Sequence, residues 1–504
     1  MKFLSLDNRI LFYLVLGLFV APIWVVDLPP FIDLPQHMAQ VNAFRLLLAD
    51  DPMFTQMFEL NWFTPYYIPH LLLYALSSVL PLLVAAKLLL SVSVFVTPLA
   101  VARLLETLDE DWRLAWLTIP SAFSFSLYWG FLSFVVAIPL GIYLLVLTVR
   151  YCESPSLSRA VAIGGLSLAL FFTHLLALGL CAAIALAYLL GTHYKKPLTL
   201  VKLSLPYAVP LPLIITWLLS AQTWETLPQE TEIYWDSLLV HLHFMAMAPT
   251  GIDLFIPTAS FVMGFLFFAL PGILGYSLTR KPERWLAIAC MLVIFFAFPS
   301  GGMDSVFLYI RYGVFLMPVW LLAWQKPING ALRFTWVPLL VIIAVGTFNV
   351  IRFDAFDDDT VYFKSIAAQI PPRTRVLSMG HEYMNGKFQG PVLLQFGAYH
   401  QAFKDGISDF NFGFYFNQLV RYKLERLPTY NQDIQIRPML EDWESYSGDD
   451  YDYFLVYDVQ DISHVLFRGH EDDVELVAQT GRWWLFKNTS RAGQIAMTDV
   501  AIEN

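Results

Sequence analysis

Charge is scarce in this sequence, and its scarcity excludes several classes of protein. Only 14% of the 504 residues are Asp, Glu, Lys or Arg, whereas 57% are hydrophobic. Because a typical soluble domain is about 25% charged, a soluble multidomain protein is excluded. The chain also has no basic stripe that could meet the phosphates of a nucleic acid, so no nucleic-acid partner is expected.

Cysteine is scarce as well. The chain has three cysteines, Cys152, Cys181 and Cys290, and none in its last third. A disulfide framework or a cysteine-based zinc site is therefore excluded there, and that region must be stabilised by its own hydrophobic core. No HExxH, GxSxG or Walker sequence occurs, and no glycine-rich loop follows a predicted strand, which argues against a nucleotide site.

The charges that are present divide the chain into two parts. Residues 354–504 carry 13 basic and 23 acidic side chains, which accounts for the whole net charge of −10, while residues 1–353 carry 18 of each sign. We therefore predict a neutral transmembrane domain over 1–353 and an acidic, water-soluble domain over 354–504.

Long hydrophobic runs fill the first part. A helix needs about 20 mostly apolar residues to cross a bilayer. Twelve stretches come close to this length: 10–26, 66–80, 83–102, 114–127, 131–149, 160–174, 175–191, 199–220, 256–277, 283–299, 306–324 and 334–351.

Basic residues in the short loops predict the orientation. Lysine and arginine cluster within 195–202, 280–284 and 326–333, which we place in the cytoplasm together with the N-terminus. The loops 27–65 and 221–255 are acidic and nearly free of Lys and Arg, so we place them outside, together with the acidic tail.

Twelve crossings would leave both ends of the chain on one side, which contradicts this charge pattern. The number of crossings is in doubt in 66–102 and 160–191, because each is a long apolar run that only weak helix-breaking signals divide. The predicted fold class is a polytopic α-helical membrane protein with about 11–13 transmembrane helices and a C-terminal soluble α/β domain.

The tail contains short β-rich runs between polar segments, typical of a small α/β unit. Strands are predicted over Thr374–Met379 and Asp452–Tyr457, and a hairpin joins Glu475–Ala478 to Trp483–Phe486. Helices are predicted over 360–370 and 414–426.

The external loop 27–65 carries the best candidate for chemistry. If a helix begins near Pro35, then Asp33, Gln36, His37 and Gln40 share one face, because residues three and four apart are neighbours. Asp33 could take a proton from a substrate hydroxyl, with His37 one turn away to orient it. The same pattern is also a capping box, with Asp33 as N-cap and Gln36 as N3, and the two roles can coexist.

Aromatic residues follow at the mouth of the second span. Tyr66, Tyr67 and His70 lie in a proline-containing segment that leads into this span. Such residues form an interfacial belt, or they line a groove for a lipid or sugar, in which case all three are substrate-binding candidates.

Arginine is rare on the predicted outer side. Arg311 follows Tyr309 at the mouth of a later span, where its planar and permanent charge suits a phosphate. The alternative is an arginine that snorkels or pairs with Asp304. Arg311 and Tyr309 are therefore substrate-binding candidates, and Arg45 and Arg352 are weaker examples of the same idea.

Three histidines allow other interpretations. His174 lies deep in an apolar run, either as a functional group or as a neutral histidine bonded to a neighbouring helix. His241 and His243 alternate, as on a strand, near Asp236. This spacing suits a metal pair, but no third ligand is evident.

At these residues the chain resembles the GT-C superfamily of membrane glycosyltransferases, in particular bacterial enzymes that use lipid-linked sugars. The resemblance rests on Asp33 early in the first external loop, on the segment Trp62–His70, and on Arg311 before a tail that ends in a Trp-Trp-Leu-Phe strand. The stretch Phe123–Leu140 is similar to an uncharacterised bacterial subgroup. The order of predicted spans, loops and tail resembles the superfamily along the whole chain. The sequence motifs that match are short and not specific.

The resemblance implies a role for each part. Asp33 is expected to be a general base or to help bind a divalent cation. The implied donor is a polyprenyl-phosphate-linked sugar, and the implied acceptor is a hydroxyl of a lipid or glycan, with inversion at the anomeric carbon. The expected location is a bacterial inner membrane, in contact with its lipids, with the tail in the periplasm.

Two departures from the family pattern leave the donor type and the metal dependence open. Gln36 and His37 stand where a second carboxylate is usual, and residues 27–66 contain no lysine to approach a lipid phosphate. Two other functions remain open beside the transferase. One is a transporter or flippase, which internal repeats and charged midplane residues would favour; the other is a non-catalytic scaffold in envelope assembly.

Overall fold

The structure is a computed structural model that describes residues 6–222, 232–252, 257–302, 305–326, 332–380, 383, 388, 390–428 and 432–491. Contacts divide the chain into two compact units. The first comprises Met1–Trp24, Phe63–Pro69 and Lys87–Val350. The second comprises Val25–Trp62, His70–Ala86 and Ile351–Asn504, so most of the predicted loop 27–65 belongs to the same unit as the tail.

Helices dominate the described chain. In order they are α1 (Arg9–Phe19), α2 (Ala21–Trp24), α3 (Leu34–Leu48), α4 (Pro52–Met57), α5 (Tyr67–Ser77), α6 (Leu82–Thr107), α7 (Phe125–Trp129), α8 (Leu132–Glu153), α9 (Leu157–Thr173), α10 (Leu175–His193), α11 (Pro197–Ser204), α12 (Leu211–Gln222), α13 (Leu238–Met247), α14 (Pro257–Ile273), α15 (Pro282–Ala297), α16 (Gly313–Trp320), α17 (Val337–Ala368), α18 (Ala398–Lys404), α19 (Gln432–Ile436) and α20 (Ser463–Leu466).

Strands are shorter and fewer. They are β1 (Phe58–Leu60), β2 (Ser277–Leu278), β3 (Gly301–Gly302), β4 (Ser305–Val306), β5 (Trp324–Gln325), β6 (Arg375–Gly380), β7 (Ile407–Ser408), β8 (Val420–Tyr422), β9 (Tyr453–Tyr457), β10 (Val474–Thr480) and β11 (Trp483–Asn488).

The polytopic helical architecture is confirmed. Within the described residues, α6, α8, α10 and α17 are long and apolar enough to cross a membrane, and a bent pair over 197–220 would make a fifth span. Six shorter apolar helices of 10–17 residues accompany them. The predicted number of crossings rests on these shorter helices as well, so that number stays a prediction.

Both apolar runs that made the count uncertain are divided in the structure. The run 160–191 breaks at His174, which has extended backbone angles between α9 and α10. The run 66–102 breaks between Ser77 and Leu82. Neither run is one long continuous helix.

The predicted span 114–127 is wrong, because it is not one continuous helix. Residues Trp112–Thr118 and Pro120–Phe123 form two 3-10 helices, and the short α7 follows. Pro120 interrupts the hydrogen-bond ladder, and Gly130 ends α7 with a φ of 82°, a left-handed conformation that glycine adopts without strain.

The second unit contains a five-stranded mixed sheet in the order β10-β11-β9-β6-β7. Strand β6 is parallel to both β7 and β9, while β11 is antiparallel to β9 and β10. The predicted strands and hairpin of the tail are confirmed. The core includes Trp443, Tyr446, Phe454 and Phe467, and α3 packs against α18.

The predicted helix over 414–426 is wrong. This segment contains β8 between two 3-10 helices, Phe412–Phe414 and Leu424–Arg426. Strand β8 pairs antiparallel with β1, which lies within residues 27–65. A partner about 360 residues away in the sequence thus overrides the local helical preference.

Candidate functional site

Asp33 immediately precedes α3, as the sequence predicts, but its side chain does not cap the helix. Asp33 occupies the N-cap position, and its carboxylate makes no capping hydrogen bond to the backbone of α3. Its own main-chain carbonyl accepts a hydrogen bond from the His37 N–H at 3.2 Å. The side chain is 9% exposed.

Gln36 and Gln40 share a face with Asp33, and both bind the tail. Gln36 Nε2 donates to the Phe410 carbonyl at 2.6 Å, and its Oε1 accepts from the Phe412 N–H at 3.1 Å. Gln40 makes a matching pair with Val420, donating to its carbonyl and accepting from its N–H, both at 2.9 Å. Gln36 thus does not complete a capping box, and these two amides position α3 against the tail.

His37 and His70 form a buried pair. His37 Nδ1 lies 3.1 Å from His70 Nε2, and the two rings are 5.2 Å apart. His37 is 7% exposed and His70 is fully buried. Phe412 lies edge-on to the His37 ring at 5.5 Å. The sequence singled out both histidines, but nothing in it predicts that they contact each other.

Arg45 contacts other residues of the second unit. Its guanidinium donates to Asn42 Oδ1 and forms an ion pair of 2.8 Å with Asp405 of the tail. Asn42 in turn donates to the Gln401 carbonyl at 2.7 Å. These contacts join α3 to the tail, and the role of Arg45 in substrate binding stays a prediction.

Arg311 lies in the first unit, in the 3-10 helix Ile310–Tyr312 that precedes α16. Its guanidinium carbon is 3.9 Å from the centre of the Phe131 ring, a cation–π contact. One guanidinium nitrogen donates to the Val306 carbonyl at 2.9 Å, and the Arg311 carbonyl accepts from the Ser126 hydroxyl at 3.0 Å. The alternative partner, Asp304, lies outside the described residues.

Tyr66, His174 and Arg311 come together within the first unit. The Tyr66 and His174 rings are 5.1 Å apart, edge to face, and Phe134 contacts His174 in the same way at 5.0 Å. The charge of Arg311 acts on both Tyr66 and His174. Tyr67 is the first residue of α5 and is half-buried.

Tyr309 belongs to a different polar group of the first unit. Its hydroxyl donates to Asp236 Oδ2 at 2.9 Å, and its ring stacks on His241 at 4.0 Å. The sequence placed His241 and His243 on a strand, which is wrong, because both lie on α13. Residues two apart on a helix point in different directions. Within the described chain, no group of three or more His, Cys, Asp or Glu side chains could hold a metal ion.

Comparison with known proteins follows from this geometry. No family model and no curated protein matches the chain. A solved structure shares the overall fold of the chain, and this likeness supports the GT-C-like fold that the resemblance implies.

The solved structure that carries this comparison is ArnT from Cupriavidus metallidurans bound to undecaprenyl phosphate. The match has a TM-score of 0.51 and covers 95% of this chain and 97% of that one, at 11% sequence identity. At this identity the likeness concerns the fold alone.

Proposed function

We propose that the protein is a membrane glycosyltransferase that moves a sugar from a polyprenyl-phosphate donor to an acceptor hydroxyl. The observation that carries the proposal is the position of Asp33 at the head of α3, one turn before His37, on the helix that the tail holds through Gln36 and Gln40. The fold supports it, because ArnT, whose overall fold this chain shares, was solved with undecaprenyl phosphate bound. The expected site is the external face of a bacterial inner membrane.

In this reaction Asp33 acts as the general base. The acceptor oxygen attacks the anomeric carbon, the bond from that carbon to the phosphate oxygen breaks, and the proton of the acceptor hydroxyl goes to Asp33. The polyprenyl phosphate leaves with the bonding electrons, and the single displacement inverts the anomeric carbon. A positioned base of this kind typically contributes about 10²–10⁴-fold to the rate.

Arg311 takes the leaving group. Negative charge grows on the phosphate as the glycosidic bond breaks, and a planar cation that makes parallel hydrogen bonds stabilises that charge. In this proposal Tyr66, Tyr67 and Tyr309 also contact the substrate. A lipid-linked donor fits the expected location, because no pool of nucleotide sugars exists outside a bacterial inner membrane.

The first test is Asp33→Asn, which keeps the size of the side chain but removes the base. In proteoliposomes that contain a polyprenyl-phosphate sugar, we expect glycosyl transfer to fall about 10²–10⁴-fold at unchanged protein level. Asp50→Asn is the matched control: Asp50 lies in the same loop, is exposed and has a φ of 52°, which asparagine also tolerates. Normal transfer by Asp33→Asn would refute the assignment.

The second test examines the role of Arg311 in stabilising the leaving phosphate. We expect Arg311→Gln to lower kcat about 10²-fold, because it removes stabilisation that grows as the bond breaks, and Arg311→Lys to recover part of it. Movement of the donor across sealed vesicles without a new glycosidic bond would instead identify a transporter. Full cellular function of the combined Asp33, His37 and Arg311 variant would point to a scaffold.

A further inference from the structure

Basic side chains gather at one end of the first unit, on the side that the sequence predicts to be cytoplasmic. Lys195 and Lys196 follow the end of α10, Lys202 lies on α11, and Arg280 and Lys281 precede α15. All five residues, which we call the basic patch, are exposed. The proposed glycosyl transfer uses none of them.

The packing of α10 against α15 brings these cations together. The two helices touch at Gly191 and Glu283, so closely that a Cβ atom on Gly191 would lie 2.4 Å from Glu283 Cα. Four of the five cations lie two to five residues from this contact along the chain. Because a chain extends by at most about 3.6 Å per residue, their Cα atoms lie within about 18 Å of the contact. The basic patch is therefore one surface, built by two loops.

Other cations of the first unit already have carboxylate partners. Five basic residues near the end of α6 and the helices packed there form ion pairs of 2.5–3.0 Å. These pairs are Arg9–Glu106, Arg103–Glu106, Arg113–Asp111, Arg284–Glu110 and Lys326–Asp109. Across the residues that the structure describes, by contrast, no cation of the basic patch forms an ion pair. The charge of the patch is therefore open to a partner outside the chain.

Carboxylates near the basic patch do not cancel its charge. Glu153 and Glu283 both act electrostatically on Tyr188 of α10, which places them at the same end of the unit. Within the described part of the chain, neither acid forms an ion pair with a cation of the patch. Five cations against two carboxylates leave an excess of positive charge, which favours an anionic partner.

An apolar helix face adjoins the basic patch. Leu198, Val201 and Leu205 are at least 60% exposed and share one face of α11 and its continuation, since they are three and four residues apart. Helix α11 begins the bent pair over 197–220 that is apolar enough to form a span. Tyr194, just before it, is exposed, and aromatic residues favour the membrane interface. This order, cations first and then an apolar face, suits the boundary between lipid headgroups and lipid chains.

We propose that the basic patch binds an anionic glycerophospholipid of the phosphatidylglycerol type, from the leaflet that the patch faces. The lipid phosphate lies between the two loops, where the lysine ammoniums and the planar guanidinium of Arg280 donate to its oxygens. Lys202 reaches the same headgroup through its long stem, and the acyl chains cover the apolar face of α11. The site is independent of the proposed glycosyl transfer, so failure of one does not affect the other.

The test is native mass spectrometry of the full-length protein in an uncharged detergent. The probes are phosphatidylglycerol and phosphatidylcholine with the same acyl chains. We expect phosphatidylglycerol to bind about tenfold more tightly, and the difference to shrink as ionic strength rises, because salt screens exposed charges. Equal binding of the two lipids would overturn the proposal. Displacement by glycerol phosphate, which has the anionic group but no chains, would overturn it in favour of a soluble anion.

Two double variants locate the site on the two loops. Lys195→Gln with Lys196→Gln, and Arg280→Gln with Lys281→Gln, should each weaken phosphatidylglycerol binding about tenfold and leave phosphatidylcholine binding unchanged. Lys195→Arg with Lys196→Arg keeps both charges and should bind as the unaltered protein does. The lipid comparison on the unaltered protein does not depend on how well these variants insert into the membrane.

The matched control removes two cations elsewhere. Arg468→Gln with Arg482→Gln changes two exposed positions of the tail and should leave the lipid preference intact. A preference that survives both patch variants would show that the lipid binds elsewhere, and a preference that the tail variant abolishes would show that only total charge matters. Either result would overturn the proposal.

Discussion

At the scale of single residues, His37 and His70 form a coupled pair. Their facing nitrogens, 3.1 Å apart, can hold one hydrogen between them, so the tautomer of one ring sets that of the other. If the shared hydrogen is on His37 Nδ1, then His37 Nε2 has none and can only accept a hydrogen bond. If the hydrogen is on His70 Nε2, then His37 Nδ1 accepts it, and His37 Nε2 carries the hydrogen of its own ring and donates. We therefore propose that His70, predicted from the sequence to bind substrate, acts on the proposed chemistry by positioning His37.

A double-mutant cycle tests this coupling. We expect His37→Leu and His70→Leu each to lower kcat about tenfold or more, and the double variant to be no slower than the slower single one, because both remove the same interaction. His70→Gln, which can still donate and accept, should recover part of the rate and shift the pH profile of kcat. Losses that multiply would show that the two histidines act independently.

His400 predicts how stability depends on pH. Its pKa is about 4 in the folded protein, below the ordinary 6.5, because burial disfavours the charged ring. The unfolded chain therefore binds the proton more readily. Its contribution to stability is complete above pH 6.5 and is lost as the pH falls towards 4, by up to about 3 kcal/mol.

Thermal unfolding of the full-length protein in detergent at pH 7.5 and 4.5 measures this effect. His400→Gln removes the titrating ring, so the difference in melting temperature between the two pH values should shrink. His464→Gln replaces an exposed histidine of the same unit and should leave the difference unchanged. An unaltered difference in His400→Gln would contradict the assignment.

At the scale of elements, α3 joins the tail through side-chain amides that imitate a neighbouring strand. The Gln40 amide both donates to and accepts from Val420, as a paired residue in a sheet would. Gln40 is 1% exposed and Val420 is fully buried. Water cannot readily replace these bonds, so this contact fixes the position of the helix that carries Asp33.

Gln40→Ala should therefore destabilise the protein. It leaves the buried N–H and C=O of Val420 without partners, at a cost of about 2–4 kcal/mol. Leu48→Ala, at an exposed position of the same helix, should cost far less. Denaturant unfolding compares the two, and equal losses would show that burial rather than hydrogen bonding anchors α3.

Other elements show why sequence alone predicted only part of the fold. The hairpin of β10 and β11 was predictable because alternating residues and Thr480-Gly481 encode it locally. Strand β8 was not, because its identity as a strand depends on β1, far away in the sequence. The break at His174 lies where the sequence separates the spans 160–174 and 175–191, but that separation was left in doubt, since an apolar run looks similar whether it crosses once or twice.

The candidate site, like the fold, could be predicted only in part from the sequence. The spacing of Asp33, Gln36 and His37 on one helical face was predictable from the 3.6-residue period. Their partners were not: His70 lies 33 residues away from His37, and Val420 lies 380 residues away from Gln40. No local pattern encodes contacts at such separations. This is also why the sequence could not distinguish a capping Asp33 from a catalytic one.

At the scale of the whole molecule, the distribution of charge predicts an external tail. The three native cysteines are all in the first unit, so their replacement gives a background in which one new thiol reports its side of the membrane. In intact cells a membrane-impermeant maleimide should label Glu475→Cys, whose position is exposed. Lys195→Cys, exposed in a predicted cytoplasmic loop, should react only after lysis. The opposite pattern would reverse the orientation.

The ladder between β1 and β8 can form only long after β1 has been synthesised. Glu59 and Arg421, which face each other across this ladder and form an ion pair, are 362 residues apart. At about 5–20 residues per second, a ribosome needs roughly 20–70 s to supply the second strand after the first. During that interval the edge of β1 cannot pair with β8, and the Gln40 amide of α3 cannot bond to Val420. Nascent chains arrested before residue 420 should therefore expose this loop to proteases, and chains arrested beyond the tail should protect it.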